Sequence, residues 1–364
     1  MDTESLERLI PDPGYVLDPK QVDKYRARFF PHRNSEIFYP NEFYGHDLIY
    51  KAIMDKSPQT SLHIAIPHGI EVMNSGMYSL FLKRESVNCI LFYSQLGLSI
   101  YRENRTKAIF LRATHPIYYL NEFMHQQYWL TLQLTYKKYL FFPAHSTSNW
   151  KLQDSEYDEQ VIKYLKVNGY EPENTSIILT NADLQDLRHK KYFSMGYQVF
   201  TAGDALDAQF LARLILIVSA HQIILTCSVG SHVFYCSYLG KEVRWLQIFK
   251  DALPPYVSLN GQSSQNEWKE SDSRIDIQSL SPESLKRISF MLLGADLPKC
   301  ALEMKALESI GKRAFFFGAL YRDHNRYKLV FPSVLRNIIR DMIKGIASIL
   351  RNYSDLKNLD TFKK

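Results

Sequence analysis

The sequence predicts an α/β fold with largely parallel sheets, divided into two domains. Two observations predict the sheets. Short apolar, strand-like runs recur along the chain, each ending at a polar or proline-containing turn, and helical patterns separate them. That alternation is what parallel strands joined by crossover helices look like in sequence. A third observation predicts the division: 364 residues exceed what one core usually holds.

The elements follow in order. Residues up to Thr60 are aromatic and irregular, punctuated by Pro11, Pro13, Pro19, Pro31 and Pro40. Strand-like runs come next at 61–66, 88–93 and 108–113. They stop at Pro67-His68-Gly69, Ser94-Gln95 and Thr114-His115-Pro116. A second, more regular series begins near residue 139. Its predicted strands are 139–143, 176–180, 197–202, 222–226 and 242–246, and its helices 157–167, 184–189 and 204–219. Asp204 or Asp207 suits a helix N-cap, and Gly169 and Gly240 suit C-caps. Residues 258–275 read as one polar loop. In 334–353 the apolar residues Leu335, Ile338, Ile339, Met342, Ile343, Ile346, Ile349 and Leu350 have helical spacing, opposite Arg336, Arg340, Lys344 and Arg351. The predicted domains are 1–138 and 139–331, with 332–364 packing back on the first. The terminal helix either lies on its own protein with a solvated basic face or meets an anionic bilayer.

Bulk properties exclude several classes. The net charge of +6 is mild for this length, and no Lys/Arg run resembles a nucleic-acid arm, so no nucleic-acid partner is expected. The charge fits phosphate-bearing ligands or an anionic membrane surface. Cys89, Cys227, Cys236 and Cys300 have no CxxC spacing and read as free thiols in a reducing cytosol. Residues 210–226 are apolar but contain Arg213, His221 and Gln222, so they read as a helix running into a strand rather than a membrane span. The N-terminus shows no signal-sequence pattern. Aromatics at 13% serve either a tyrosine-rich core and surface or clefts that hold sugars and bases.

Candidate chemistry gathers at strand ends, where open α/β sheets bind ligands. The most informative stretch is 222–246, QIILTCSVGSHVFYCSYLGKEVRWL: strand, small-residue turn, helix, glycine stop, strand. Unpaired N–H groups at that helix start, beside Ser228 and Ser231, make an anion site, and Gly230 allows close backbone approach. His145 and Ser146 follow YLFFPA and suit a phosphate or sugar hydroxyl, or Ser146 starts a helix. His68, between Pro67 and Gly69, suits a general base or a structural hydrogen bond; Glu71 either orients it or is itself the acid/base. His115 before Pro116 is either a structural residue or a further substrate-binding candidate, and His46 beside Asp47 is similar. No G-x-x-x-x-G-K-[ST], G-x-G-x-x-G after a strand, or G-x-S-x-G is present, which disfavours P-loop, dinucleotide and serine-hydrolase chemistry. The histidine spacing gives no metal site.

Together PHG (67–69), FPAHS (142–146) and CSVGSH (227–232) resemble the motifs of bacterial surface-polysaccharide transferases of the two-domain GT-B type. The closest echoes are cytidine-nucleotide-dependent sialyl- and Kdo-transferases and teichoic-acid glycerophosphotransferases. Here His145 precedes Ser146 rather than Pro, and Ser228 and Ser231 are separated rather than adjacent. The resemblance implies two Rossmann-like domains facing across a cleft, the first on the acceptor side and the second binding a nucleotide sugar. It implies that His145, Ser146, Ser228, Gly230 and Ser231 hold the donor phosphate, with His68 as acceptor-side base and Glu71 as its competitor. The donor, a CMP-linked sugar, is substrate and no separate cofactor is implied. The acceptor is a glycan or lipid-linked chain, reached in the cytoplasm or at the inner face of the membrane. A nucleotide-sugar epimerase and a non-catalytic assembly protein of the same fold are the alternatives.

Overall fold

The computed structural model describes residues 2–27, 33, 36–67, 69–70, 88–104, 108–132, 136–146, 150–152, 156–248, 256–258 and 277–327. The first part contains helices α1 (Thr3–Glu7), α2 (Pro13–Val16), α3 (Val22–Ala27) and α4 (His46–Ile53). Strand β1 (Cys89–Phe92), α5 (Gln95–Asn104), β2 (Ile109–Arg112) and α6 (Pro116–Leu132) follow. Next come β3 (Lys137–Phe142), β4 (Trp150–Leu152), α7 (Tyr157–Val167), β5 (Thr175–Ile178), α8 (Asn181–Gln185), α9 (Arg188–Ser194) and β6 (Gln198–Phe200). The chain continues through α10 (Phe210–Ser219), β7 (His221–Thr226), α11 (Ser231–Tyr238), β8 (Glu242–Trp245) and β9 (Tyr256–Ser258). It then runs through α12 (Pro282–Leu292) and α13 (Ala301–Tyr327). The predicted terminal helix at 334–353, and the polar loop beyond Ser258, lie outside the described residues.

All five predicted strands of the second series are present. They form one parallel sheet in the order β6-β5-β3-β7-β8. Alternate side chains take opposite faces. Leu140, Ile178, Phe200, Ile224 and Val243 join one apolar cluster, and Tyr139, Phe141, Ile177, Val199, Ile223 and Leu225 join another. Strands this apolar need cover on both faces, and the crossover helices supply it. α10 is buried at every residue from 211 to 218. Its one charge, Arg213, ion-pairs with Asp207, donates through Nε to Ala202 O at 2.8 Å and lies over the Tyr25 ring at 4.8 Å.

Three elements differ from the sequence expectation. The strand predicted at 61–66 is a single parallel bridge, Ala65 to Ile90, beside the parallel pair β1–β2. Side chains take over its backbone: Asn41 bonds Ile64 O and Ile66 N–H, both at 2.8 Å, and Glu36 accepts from Leu62 N–H at 3.2 Å. The helix predicted from 204 begins at 210, because Asp204 and Asp207 accept from Leu206 and Gln209 N–H at 2.9 Å each and turn the chain first. The helix predicted at 184–189 is split into α8 and α9 by Leu187 at φ 60°. Near the N-terminus, Asp2, Asp12 and Asp18 each cap a short turn, so the segment is more helical than its prolines suggest. Gly169 and Gly240 follow α7 and α11 in the left-handed conformation, as capping requires.

β4 and β9 form a separate antiparallel pair, and the larger apolar cluster joins the two parallel sheets. It unites Leu91 and Leu111 with α4, α6, α10, α11, α12 and the near face of the second sheet, so residues on either side of position 138 share one core. Cys89 and Cys236 are buried, Cys227 is half-buried and Cys300 is exposed; all are free thiols. No helix among the described residues is long and apolar enough to cross a membrane.

Candidate functional site at the strand crossover

From β3 the chain moves through α7 to β5 and on to β6, then returns through α10 to β7 on the other side of β3. The strand order therefore reverses between β3 and β7. Loops leaving the carboxyl ends of two such strands diverge and open a crevice. Residues 143–146 leave β3 there, and residues 227–230 leave β7 and lead into α11. Gly230 precedes α11 in extended conformation and offers no side-chain cap, so the first-turn N–H groups have no side-chain acceptor from it. A Cβ on Gly230 would come within 2.9 Å of His232 Nδ1.

Two histidines lie at these turns. The His232 ring stacks on Phe142, with centroids 4.7 Å apart and planes at 11°. Its Nε2 lies 2.9 Å from Thr226 Oγ1. The Thr226 hydroxyl donates to Ser228 O at 3.0 Å, so it accepts from His232 Nε2–H, and Nδ1 keeps its lone pair. Burial pushes His232 down to about 3, and the neighbouring His145 adds to the shift. Burial likewise holds His145 below the usual imidazole value; Asp183 opposes that shift and Arg188 reinforces it. Both rings are neutral at neutral pH. An anion brought between them favours their charged forms.

Beneath the 143–146 turn lies a buried ionic platform. Arg188 forks onto Asp158, Nε at 2.9 Å and Nη2 at 2.6 Å. Its Nη1 pairs with Asp183 and donates to Ala144 O at 3.0 Å. Ala144 N–H donates to Tyr157 Oη at 2.9 Å, and Ser146 N–H donates to Asp183 Oδ1 at 2.9 Å. Tyr192 Oη donates to Asp158 at 2.8 Å. Charges this deep persist only when paired and hydrogen-bonded, and each of these is. Tyr157 Oη also lies 3.3 Å from Cys227 Sγ, which ties the β3 turn to the β7 turn.

The structure brings His145, Ser146, Ser228, Gly230 and Ser231 to this one region. The Ser146 hydroxyl accepts from Leu152 N–H in β4 at 3.1 Å, and the residues 147–149 that would start a helix lie outside the described residues. Ser228 N–H donates to Thr226 Oγ1 at 3.3 Å. The Ser231 hydroxyl accepts from Ile70 N–H at 3.0 Å, which sets the turn after Pro67 against the start of α11. Pro67 O in turn accepts from Tyr93 Oη at 3.0 Å and from His46 Nδ1 at 3.3 Å. His68 and Glu71, in and just beyond that turn, lie outside the described residues.

His115 is placed differently. It is fully buried, its Nδ1 accepts from Ile117 N–H at 3.1 Å, and Nε2–H therefore faces Tyr235 Oη at 3.1 Å. Burial and the adjacent His46 ring hold it well below the usual value. The segment 293–299 covers it: Leu293 O accepts from His115 N–H at 2.9 Å, and Lys299 N–H donates to Thr114 Oγ1 at 2.9 Å. His115 thus supports α11 from below, and neither ring nitrogen is left for a ligand.

Sequence reasoning missed His232, Asp183 and Arg188. His232 was visible only as the end of the serine-rich turn. Asp183 carried one signal, the Thr180–Asp183 capping box at α8, which marks a helix start and not a platform. Among the described residues no group of His, Cys, Asp or Glu side chains is arranged to hold a metal ion. No protein-family model matches the chain, and no curated protein matches it significantly.

Proposed function

We propose that the chain is a glycosyltransferase that moves a sugar from a nucleotide-activated donor, of the cytidine-monophosphate kind, to a glycan or lipid-linked acceptor. The observation that carries the reading is the crevice at the β3–β7 crossover, where an uncapped helix start and two neutral histidines meet. In this reading His145, Ser146, Ser228, Gly230 and Ser231 hold the donor phosphate. Fixed N–H dipoles and a histidine that gains a proton stabilise the charge developing on the departing nucleotide. The second sheet is then the donor half of a GT-B pair, and the turn around His68 and Glu71 belongs to the acceptor half. The basic segment 334–353 meets the inner face of the membrane where lipid-linked acceptors lie.

Calorimetry and thermal melts with cytidine and uridine nucleotides test this. Cytidine monophosphate should stabilise the chain by about 3 kcal/mol at a hundredfold excess over its Kd. Folded protein that none of these nucleotides stabilises overturns the reading. One observation favours a second reading, a non-catalytic assembly protein of the same fold: the Ser231 hydroxyl is already engaged by Ile70 N–H. In that case Ser228→Ala and His68→Ala leave the cellular glycan unchanged, whereas a transferase loses product with both.

A further inference from the structure

Two residues just past the end of β3 have their backbone held by buried side chains. Ala144 is bonded at N–H by Tyr157 and at C=O by Arg188, and Ser146 N–H is bonded by Asp183. His145 sits between them. A buried ionic cluster is a poor device for stability alone, since apolar packing of the same volume does as well. What it provides is a fixed geometry for the groups it touches.

The charges point the same way. Arg188 is one cation between two carboxylates, Asp158 and Asp183, all under 10% exposed. One negative charge is therefore in excess directly beneath the 143–146 turn. The groups that act electrostatically on His145 are Asp183 from α8, Arg188 from α9 and His232 from α11. Asp158 and Tyr157 from α7 stand behind Arg188 and Ala144. An anion above this set is tolerated once a proton joins it, and His145 is the base beside Asp183.

We infer that Asp183 and Arg188 are positioning residues of the crevice: they hold the 144–146 backbone so that His145 faces a bound phosphate, and Asp183 is the counter-charge to the proton His145 gains with it. The inference rests on the proposed donor site. The proton comes from solvent, and binding is accompanied by its uptake. Cytidine monophosphate then binds more tightly as the pH is lowered. Asp183→Asn keeps an acceptor for Ser146 N–H but removes the charge. Arg188→Lys keeps the charge but loses the planar fork that reaches Ala144.

The test follows His145 by NMR titration, free and with cytidine monophosphate, and measures binding of that nucleotide from about pH 8 to about pH 6. In the unsubstituted chain the nucleotide should raise the His145 midpoint, and affinity should rise about tenfold over that range. Asp183→Asn should lower the free His145 midpoint and flatten the pH dependence. Arg188→Lys should weaken binding at every pH while keeping its slope, a pattern that simple loss of stability does not produce. If Asp183→Asn does not fold, Thr180→Ala removes the hydroxyl that donates to Asp183 Oδ2 at 2.8 Å. The less screened carboxylate should then move the His145 midpoint upward. A folded Asp183 or Thr180 variant with the original midpoint and pH dependence overturns the inference. If no nucleotide or inorganic phosphate binds the unsubstituted chain, the donor-site reading fails. The free His145 midpoint still decides whether Asp183 acts on it.

Discussion

The carboxyl edges of the two sheets start from similar strand ends and finish differently. On the first sheet the segment 293–299 closes over Thr114 and His115 through backbone bonds, and Gly294 fits where a Cβ would lie 2.6 Å from Ala113 O and 2.8 Å from Tyr93 O. His115 is sealed beneath. On the second sheet the strand order reverses, and His145 and His232 stay half-buried beside the turns that leave β3 and β7. A histidine after a strand thus stays a candidate ligand group only where it is not sealed.

The buried charges repeat the contrast. Lys51 lies between Glu36 at 2.6 Å and Asp47 at 3.0 Å, with Arg33 also on Asp47. It reaches one loop carbonyl, Pro58 O at 2.9 Å. Arg188 lies between Asp158 and Asp183 and reaches the end of a central strand. One lysine and one arginine face the same number of carboxylates, yet only the planar fork extends to the crevice.

Acidification should produce the largest effect. His115, His145, His221 and His232 are all held neutral by burial, His221 down to about 4 and His232 to about 3. Unfolded histidines protonate near 6.5, so below that pH the unfolded chain binds more protons and stability falls. The loss begins as pH drops through about 6.5, continues to about 4 for His221, and amounts to about 3 kcal/mol for that residue alone. Above about 6.5 these groups contribute no slope. Thermal melts across this range measure it. A bound nucleotide should soften the loss from the crevice histidines and leave that from His115 untouched; equal losses with and without nucleotide would make the two edges alike.

Arg188→Met should come next. It leaves two buried carboxylates without their cation and should cost about 3–5 kcal/mol by chemical denaturation, with loss of nucleotide binding. Lys51→Met should cost a similar amount, about 3–5 kcal/mol, while the folded fraction binds normally. If both abolish binding, the contrast between the clusters fails. Gly294→Ala should be mildest, about 1–3 kcal/mol, because φ is +65° and carbonyls crowd the site. Its nucleotide Kd should be unchanged, since it strains only the sealed edge.

Much of the second sheet was legible in the sequence. Runs such as LFF in β3 and IIL in β7 are apolar throughout because both faces are covered, and the polar turns after them mark the strand ends. The same reading overestimated 61–66, whose composition is strand-like but whose backbone Asn41 and Glu36 engage instead. It also kept both His115 and His145 as ligand candidates. Both follow strands and both precede small or rigid residues, and nothing local separates them.

The sequence by itself determined the alternation of strands and helices, the strand ends, and the serine–glycine turn that opens α11. Hydrophobic period and turn chemistry are properties of near neighbours, so they can be read along the chain. The tertiary structure alone decided which turns meet and which are covered. His115 is sealed by Leu293 and Tyr235, and the residues on either side of His145 are held by Asp183 and Arg188. Each of these partners is distant in sequence and brought close only by the strand order, and burial and charge state follow from that proximity.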